Sequence, residues 1–377
     1  MERIIEVKRK VMKNICLVAT SLGMGGAEKQ VCDLANSFYK KGHNVTILCL
    51  NNSILNKPMS DDIKIHTLCL EKNMLSFCRS LLLARTILKE FKPDIVHSHM
   101  FHANIFSRFL RLIYPFPVLI STAHNTNEGG RLRMFLYRIT DFLATISTNV
   151  SHEAVQSFIN KGAVKEGRML AFYNGIDTNT FKFSQESRNN KRKELNLKED
   201  DVLLLAVGRL TEAKNYKNML NALRSVIAQK VVHLAIIGTG PDGQELNSYA
   251  EKIGVSKYVH WLGIRFDVKE WMSAMDLYIM SSSWEGMPLV ICEAMSCEGL
   301  VVATDCGGVK EIIGDAGYIV PTNNPDALSN TILSALELTT LKRRYLVSAA
   351  RERIEKKYSL DNIANKWLEF YETVKNK

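Results

Sequence analysis

The feature that most limits what this chain can fold into is an alternation that runs, stops and starts again. Apolar strand-like runs recur at Asn14–Thr20, Asn44–Leu50, Ile63–Leu70, Asp94–Ser98, Val118–Thr122, Phe142–Ile146 and Met169–Tyr173. Helical patterns separate most of them, as at Gly26–Lys41 and Leu75–Phe91. Such alternation builds a parallel sheet covered on both faces, because each parallel connection must cross over the sheet. After Gly175 the texture changes. Residues 184–200, SQESRNNKRKELNLKED, are polar and charged except near Leu195 and read as a linker or a solvated helix. The alternation restarts at Asp201 with DVLLLAVG, VVHLAIIG and VHWLG, and with helices from Asn215, Asp242 and Asp267. The expected fold class is α/β: two doubly wound domains in tandem, at 1–183 and 201–357. A length of 377 residues accommodates both. Ser359–Val374, within the terminal segment 358–377, has apolar residues at helical spacing and reads as a last helix.

Composition excludes several classes. No apolar run approaches the ~18 residues of a membrane span. No uninterrupted apolar stretch follows the charged N-terminus, so a cytoplasmic protein without a cleaved signal peptide is expected. The 8 cysteines form no CxxC pair and mostly sit in apolar runs, which favours reduced core thiols over disulfides or zinc. Charge is uneven. Residues 1–200 hold 29 Lys+Arg against 18 Asp+Glu, a net of +11, whereas 201–377 hold 20 against 21, a net of −1. An anionic partner for the first half is implied. No finger, RRM or basic-helix pattern points to nucleic acid, so an anionic membrane leaflet is the better candidate. Two segments could lie on it: Phe101–Tyr114 with Arg108 and Arg111, and Arg131–Arg138, where Arg131 and Arg133 interleave with large apolar residues. The alternative is a pair of core-facing helices with solvated arginines.

The chemistry concentrates between Tyr278 and Gly308. The run Asp276–Met280 reads as a buried strand, Ser281–Ser283 as its exit loop, and Pro288 as the start of a helix. Glu285 then lies in a strand-to-helix loop and Glu293, eight residues on, inside the helix. Such a loop sits at the carboxyl edge of a parallel sheet, where ligands bind, and free helical amides there favour an anion. The pattern suits a phosphorylated, polyhydroxylated ligand, with carboxylates accepting from hydroxyls. The bland alternative is two surface acids beside an ordinary helix. In VLLLAVGRLTEAKN a buried strand ends at Gly208, and Arg209 and Lys214 follow in the loop. The first strand leads into Ser21–Gly26, whose Gly25 and Gly26 let backbone approach a phosphate or sugar, or merely permit a tight turn. Gly238–Gly243 fits G-x-G-x-x-G, but Pro241 stiffens it and the chain's first strand carries no such pattern, which argues against a dinucleotide site. His124 and Asn125 follow the strand Val118–Thr122 and fit a ligand loop. His97, His99 and His102 look ligand-like, but no acid or cysteine accompanies them and a hydrogen-bonding role is expected. No Asp-x-Asp occurs, so no metal is expected.

These segments together resemble retaining glycosyltransferases of the GT-B fold, in particular glycosyltransferase family 4, over nearly the whole chain. Glu285 and Glu293 match the family's Glu-x7-Glu motif, and Arg209 and Lys214 its G-R-L…K motif. Asn215 stands where many relatives have Gly. The resemblance implies two Rossmann-like domains facing across a cleft, with the last helix crossing back to the first. It implies that Arg209, Lys214 and the loop Gly286, Met287, Pro288 and Leu289, through its free backbone N–H groups, surround the donor diphosphate, and that Glu293 holds the ribose. Glu285 and His124 would orient the sugar, Gly263, Ile264 and Arg265 would read the base, and Gly238 would border the nucleotide. Gly25 and Gly26 match a Gly-Gly-Ala-Glu sequence that contacts donor phosphate or acceptor. Asn174-Gly175-Ile176-Asp177 matches a signature with a structural role. The implied activity is retaining, metal-independent transfer of a hexose or N-acetylhexosamine, without a cofactor. The nucleotide sugar is expected to be UDP-linked, with GDP-mannose next. The implied acceptor is a glycan, lipid-linked through polyprenyl diphosphate, in bacterial surface-polysaccharide synthesis such as O-antigen. The alternatives are a GT-B nucleotide-sugar 2-epimerase and a non-catalytic partner subunit.

Overall fold

The structure is a computed structural model that describes residues 12–23, 25–126 and 128–375, so the charged N-terminal stretch lies outside it. The first domain runs β1 (Asn14–Ala19), α1 (Gly26–Lys40), β2 (Asn44–Cys49), β3 (Lys64–Thr67), α2 (Met74–Phe91) and β4 (Ile95–His99). It continues with α3 (Phe101–Ile113), β5 (Val118–Ala123), α4 (Gly130–Thr140), β6 (Ile146–Asn149), α5 (His152–Asn160) and β7 (Met169–Ala171). The second runs α6 (Gln185–Glu194), β8 (Val202–Val207), α7 (Tyr216–Ile227), β9 (Val232–Ile237), α8 (Gly243–Lys252), β10 (Val259–Gly263) and α9 (Val268–Ala274). There follow β11 (Leu277–Met280), α10 (Leu289–Ser296), β12 (Val301–Thr304), α11 (Val309–Ile313), β13 (Tyr318–Val320), α12 (Pro325–Leu336), α13 (Thr340–Tyr358) and α14 (Leu360–Lys375).

Two parallel sheets result, ordered β3-β2-β1-β4-β5-β6-β7 and β10-β9-β8-β11-β12-β13. Both faces of each are covered, and the strands show why. Along β1, Ile15, Leu17 and Ala19 pack with Val31 and Phe38 of α1, while Cys16 and Val18 point the other way, toward Leu88 of α2 and Phe106 of α3. Along β8, Leu203 and Leu205 join one layer and Leu204 and Ala206 the other. A two-residue side-chain period with apolar residues on both sides produces this double burial.

The last helix crosses back. Ile363, Trp367 and Tyr371 of α14 lie in the core of the first domain beside Leu17 and Phe38. The chain passes between domains at a short parallel bridge, where Ile176 N–H donates to Tyr358 O (2.9 Å) and Leu360 N–H to Ile176 O (2.8 Å). A side chain on Gly175 would meet Leu360 Cα at 2.8 Å, so the Asn-Gly-Ile-Asp segment carries glycine where two crossings pass each other.

One expectation is corrected, and one is decided between its two alternatives. The expected strand at Phe142–Ile146 is a 3-10 turn at Asp141–Leu143 followed by β6, which carries buried Ser147, Thr148 and Asn149. Polar side chains hid this strand from an apolar pattern. They are tolerated because each is paired: Ser147 with Asp141, Thr148 with Thr122, and Asn149 with Asn125 O. The segment read as a linker or solvated helix is α6, and it is anchored. Arg188 and Arg192 bind Asp276 at 2.6 and 3.1 Å, and Arg192 also donates to the carbonyls of Lys198 and Glu199. Of the cysteines, Cys69 and Cys78 are exposed and the other six are buried, all free.

Candidate functional site

In the second sheet the chain winds one way from β8 through β9 to β10 and the other way from β11 through β12 to β13. The switch point lies between β8 and β11, where a crevice opens at the carboxyl ends of the strands. The loops that leave those two strands are the ones carrying Arg209 with Lys214 and Glu285. Serines stitch them together. Ser281 donates to Lys214 O (2.9 Å) and Asn215 O (3.0 Å), and Ser283 N–H donates to Ala213 O (2.8 Å). Asn215 has φ +47° and caps α7 through Asn218 N–H, so Asn and Gly suit this position for the same left-handed reason. Lys214 Nζ binds Glu285 Oε1 at 2.5 Å, and Ser282 donates to the same oxygen at 2.7 Å. Arg209 is exposed and has no ion-pair partner among the described residues. One fixed pair and one open cation therefore flank the crevice. Pro288 sits just before α10 with φ −75°, one position earlier than a first helical residue.

Glu293 is buried inside α10, and burial pushes its carboxyl above the usual range while Lys29 opposes that. Lys29 comes from α1 of the first domain: its Nζ is 3.0 Å from Asp33 and 4.0 Å from Glu293. Gly26, also on α1, lies against Leu289 of α10, with Gly25 at the helix cap beneath the Glu28 carboxylate. The two domains thus meet at the expected donor segment.

His124 faces it from the first domain. Asn125 pairs with Gly286 in a one-residue antiparallel bridge, and Thr126 donates to Glu285 O at 3.2 Å. His124 Nε2 lies 3.0 Å from His99 Nδ1. Behind them His97 bonds Tyr371 and Thr122, each at 2.7 Å, which links the cleft to α14. Burial drives His97 and His99 well below the ordinary imidazole value and takes His124 down to about 4, so all three are neutral at pH 7. Among the described residues, His124 Nδ1 and His99 Nε2 have no hydrogen-bond partner. Among the described residues no group of three or more His, Cys, Asp or Glu is placed to hold a metal.

Glycines near the cleft answer mainly to backbone contacts. A Cβ on Gly238 would meet Gly208 O at 2.0 Å, and one on Gly240 would meet Leu210 O at 2.1 Å. The G-x-G-P loop is therefore glycine-rich because it lies flat on the Arg209 loop. Gly263 has φ +64° at the end of β10, with Ile264 exposed beyond it. The Arg265 side chain turns away into a two-pronged pair with Asp267 (2.9 and 2.6 Å), which holds the Asp267 carboxyl well below its usual range.

Some residues that the sequence did not single out belong to this machinery. Glu128 is one: its carboxylate accepts from His124 N–H at 2.8 Å and from the Tyr137 hydroxyl. Lys29 and Ser282 are others. A lone acid or lysine in a loop or helix gives no pattern to read, so no sequence signal distinguished them. The arginines are sorted as sharply. Arg108, read as membrane-facing, is 0% exposed and donates to Tyr137 O, Thr140 and Ser147 while pairing with Asp141. Arg111 is tied to Leu143 O, Thr145 and Pro117 O. Arg133 donates to Glu128 O and stacks on Phe101. Arg131 and Arg138 on α4 are exposed.

Comparison with known proteins agrees with this geometry. Residues 24–180 match the family described as Glycosyltransferase Family 4, and residues 187–353 match Glycosyl transferases group 1. The chain is 23% identical over 306 residues to the UDP-Gal:alpha-D-GlcNAc-diphosphoundecaprenol alpha-1,3-galactosyltransferase of Escherichia coli, covering 77% of this chain and 79% of that one. Over 380 residues it is 26% identical to the GalNAc-alpha-(1->4)-GalNAc-alpha-(1->3)-diNAcBac-PP-undecaprenol alpha-1,4-N-acetyl-D-galactosaminyltransferase of Campylobacter jejuni, covering 97% and 100%. Among solved structures, Anabaena Alr3699/HepE in complex with UDP superposes with a TM-score of 0.83 at 20% identity, over 96% of this chain and 100% of that one. With each half matched and two Rossmann-like sheets meeting at the Glu285 loop, the chain belongs to the family-4 glycosyltransferases and has the GT-B fold.

Proposed function

We propose that the chain transfers a hexose or N-acetylhexosamine from a UDP-linked donor to a lipid-linked glycan acceptor, with retention of configuration and without a metal. The observation that carries the reading is the convergence of Arg209, Lys214 and Glu285 at the switch point of the second sheet, opposite His124. Cleaving a sugar–diphosphate bond develops negative charge on the leaving group, and fixed cations there lower the barrier. In this reading Arg209, Lys214 and the amides after Glu285 hold the diphosphate, Glu293 the ribose, and Glu285 and His124 the sugar. The C1–phosphate bond breaks as the acceptor hydroxyl attacks from the same face. Its proton passes to the departing phosphate oxygen, and no enzyme-linked intermediate forms. The neutral state of His124 supports a hydrogen-bonding role rather than that of a charged acid.

The acceptor proposal is supported by the Escherichia coli and Campylobacter jejuni relatives, whose names place their sugars on undecaprenyl diphosphate, and by the +11 charge of residues 1–200. No described helix is long and apolar enough to cross a membrane; it is the charge of residues 1–200 and the lipid-linked acceptors of those relatives that lead us to place the chain peripherally on the cytoplasmic face of an anionic leaflet. A thermal-shift screen of nucleotide sugars finds the donor, since a bound ligand stabilises by mass action. The stabilising donor, incubated with polyprenyl-diphosphate-linked sugars in excess EDTA, should give an α-linked product from an α-linked donor. An inverted product would overturn retention, and loss of activity reversed by Mg²⁺ or Mn²⁺ would overturn metal independence. Turnover of donor alone would favour the epimerase reading.

A further inference from the structure

Helix α4 presents a surface that donor chemistry does not use. Leu132, Phe135, Ile139 and, just beyond its end, Phe142 are 71%, 58%, 45% and 76% exposed. Their spacing of three, four and three residues places them along one stripe. The opposite face, Met134, Tyr137 and Thr140, is buried in the domain. Beside the stripe lies a groove of about 570 Å³, lined by Gly130, Arg131, Met134, Phe135, Arg138 and Lys161. Arg131 and Arg138 are two helical turns apart on the same side, and Lys161 closes the groove from the turn after α5. Neither arginine has an ion-pair partner among the described residues. Lys161 Nζ donates to Thr126 O at 2.7 Å, and Thr126 in turn donates to Glu285 O at 3.2 Å. The groove therefore borders the loop that carries His124, two hydrogen bonds from the expected donor sugar position.

We propose that this groove seats the diphosphate and first isoprene units of the acceptor lipid. The proposal rests on the lipid-linked acceptor reading and names its place on the chain. The complementarity is specific. Two unpaired guanidiniums and an ammonium around one groove match a compact anion of high charge, since guanidiniums bind phosphate oxygens in two-pronged fashion. The adjoining apolar stripe matches hydrocarbon attached to that anion. A bulk leaflet would be met by cations spread over a face, whereas here all three line one groove. A sugar attached to a diphosphate held in this groove starts next to the His124 loop, on the acceptor side of the cleft.

The test uses the full chain and geranylgeranyl diphosphate as probe, with inorganic pyrophosphate, geranylgeraniol and phosphatidylglycerol vesicles as comparison arms, followed by calorimetry and sedimentation. The diphosphate lipid should bind more tightly than pyrophosphate or the alcohol. Arg131→Glu with Arg138→Glu should weaken it at least ~10-fold, the weight of one charge-assisted hydrogen bond. Phe135→Ser with Ile139→Ser should reduce it to the level of pyrophosphate. The UDP-induced thermal shift, measured on every variant, reports an intact fold. Unchanged binding in the arginine variant overturns the seat. So does pyrophosphate binding as tightly as the lipid, or vesicle binding that the diphosphate lipid does not compete with. Transfer to a polyprenyl-diphosphate-linked sugar is measured in parallel. If the wild type gives none, the acceptor reading itself fails; if transfer persists undiminished in the arginine variant, only the seat fails.

Discussion

Replacing Gly286 with alanine perturbs one of the closest backbone contacts between the two domains. A Cβ at this position would lie 2.2 Å from His124 O and 2.9 Å from Asn125 Cα, whereas ordinary contact begins at 3.4 Å. The obstacle is backbone and cannot rotate away. Relief requires the His124 loop and the Glu285 loop to separate by roughly 1.2 Å, the difference between 3.4 and 2.2 Å. That opens the Asn125–Gly286 bridge and moves Glu285 relative to His124 by a similar amount. A misplacement of about 1 Å at a reacting centre costs on the order of 10²-fold in rate, so kcat at saturating donor should fall by about that factor. Arg209, Lys214 and Glu293 all belong to the second domain, so UDP binding followed by thermal shift should be retained. That separates a displaced site from an unfolded chain. A Gly286→Ala enzyme with wild-type kcat and melting temperature would show that the approach of these loops plays no part in turnover, and would refute the argument.

Three further outcomes are expected. Arg209→Ala or Lys214→Ala should each lower kcat/KM by ~10²-fold or more, since one transition-state charge contact is worth about 3 kcal/mol; near-normal turnover in both would remove the diphosphate clamp. Stability should fall as pH drops from about 6.5 toward 4, because the unfolded chain protonates His97, His99 and His124 while the folded chain keeps them neutral. Each such imidazole contributes a slope of up to about 1.4 kcal/mol per pH unit, and urea titrations should show a shallower slope in His99→Asn; an unchanged slope contradicts the assignment. Arg108→Ala should destabilise by about 3 kcal/mol, the low end for breaking a buried pair, because Asp141 keeps Arg168 at 2.9 Å. A loss below ~0.5 kcal/mol, typical of surface changes, would return Arg108 to the surface.

Much of this protein was determined by local pattern alone. A two-residue period with apolar residues on both sides belongs to most of the strands, so the alternation that builds the two parallel sheets was readable from Asn14 to Met280, except at polar β6; β12 and β13 were not singled out. The chemistry of the second domain was readable for a related reason. Its residues lie in loops directly after the strands β8 and β11, so sequence position already places Arg209, Lys214 and Glu285 at a sheet edge. Tertiary structure alone decided what depends on a distant partner. Arg108 and Arg131 both sit among large apolar residues, yet one is sealed against Asp141 and the other faces a groove, because α3 packs under α4 and α4 packs under nothing described here. Residues 184–200 look soluble by composition, yet Asp276, more than 80 residues on, draws Arg188 and Arg192 into the fold. The glycine at 286 answers to the carbonyl of His124 in the other domain. Periodicity reports the environment a residue shares with its chain neighbours; it carries no information about a contact closed by another segment's backbone or charge.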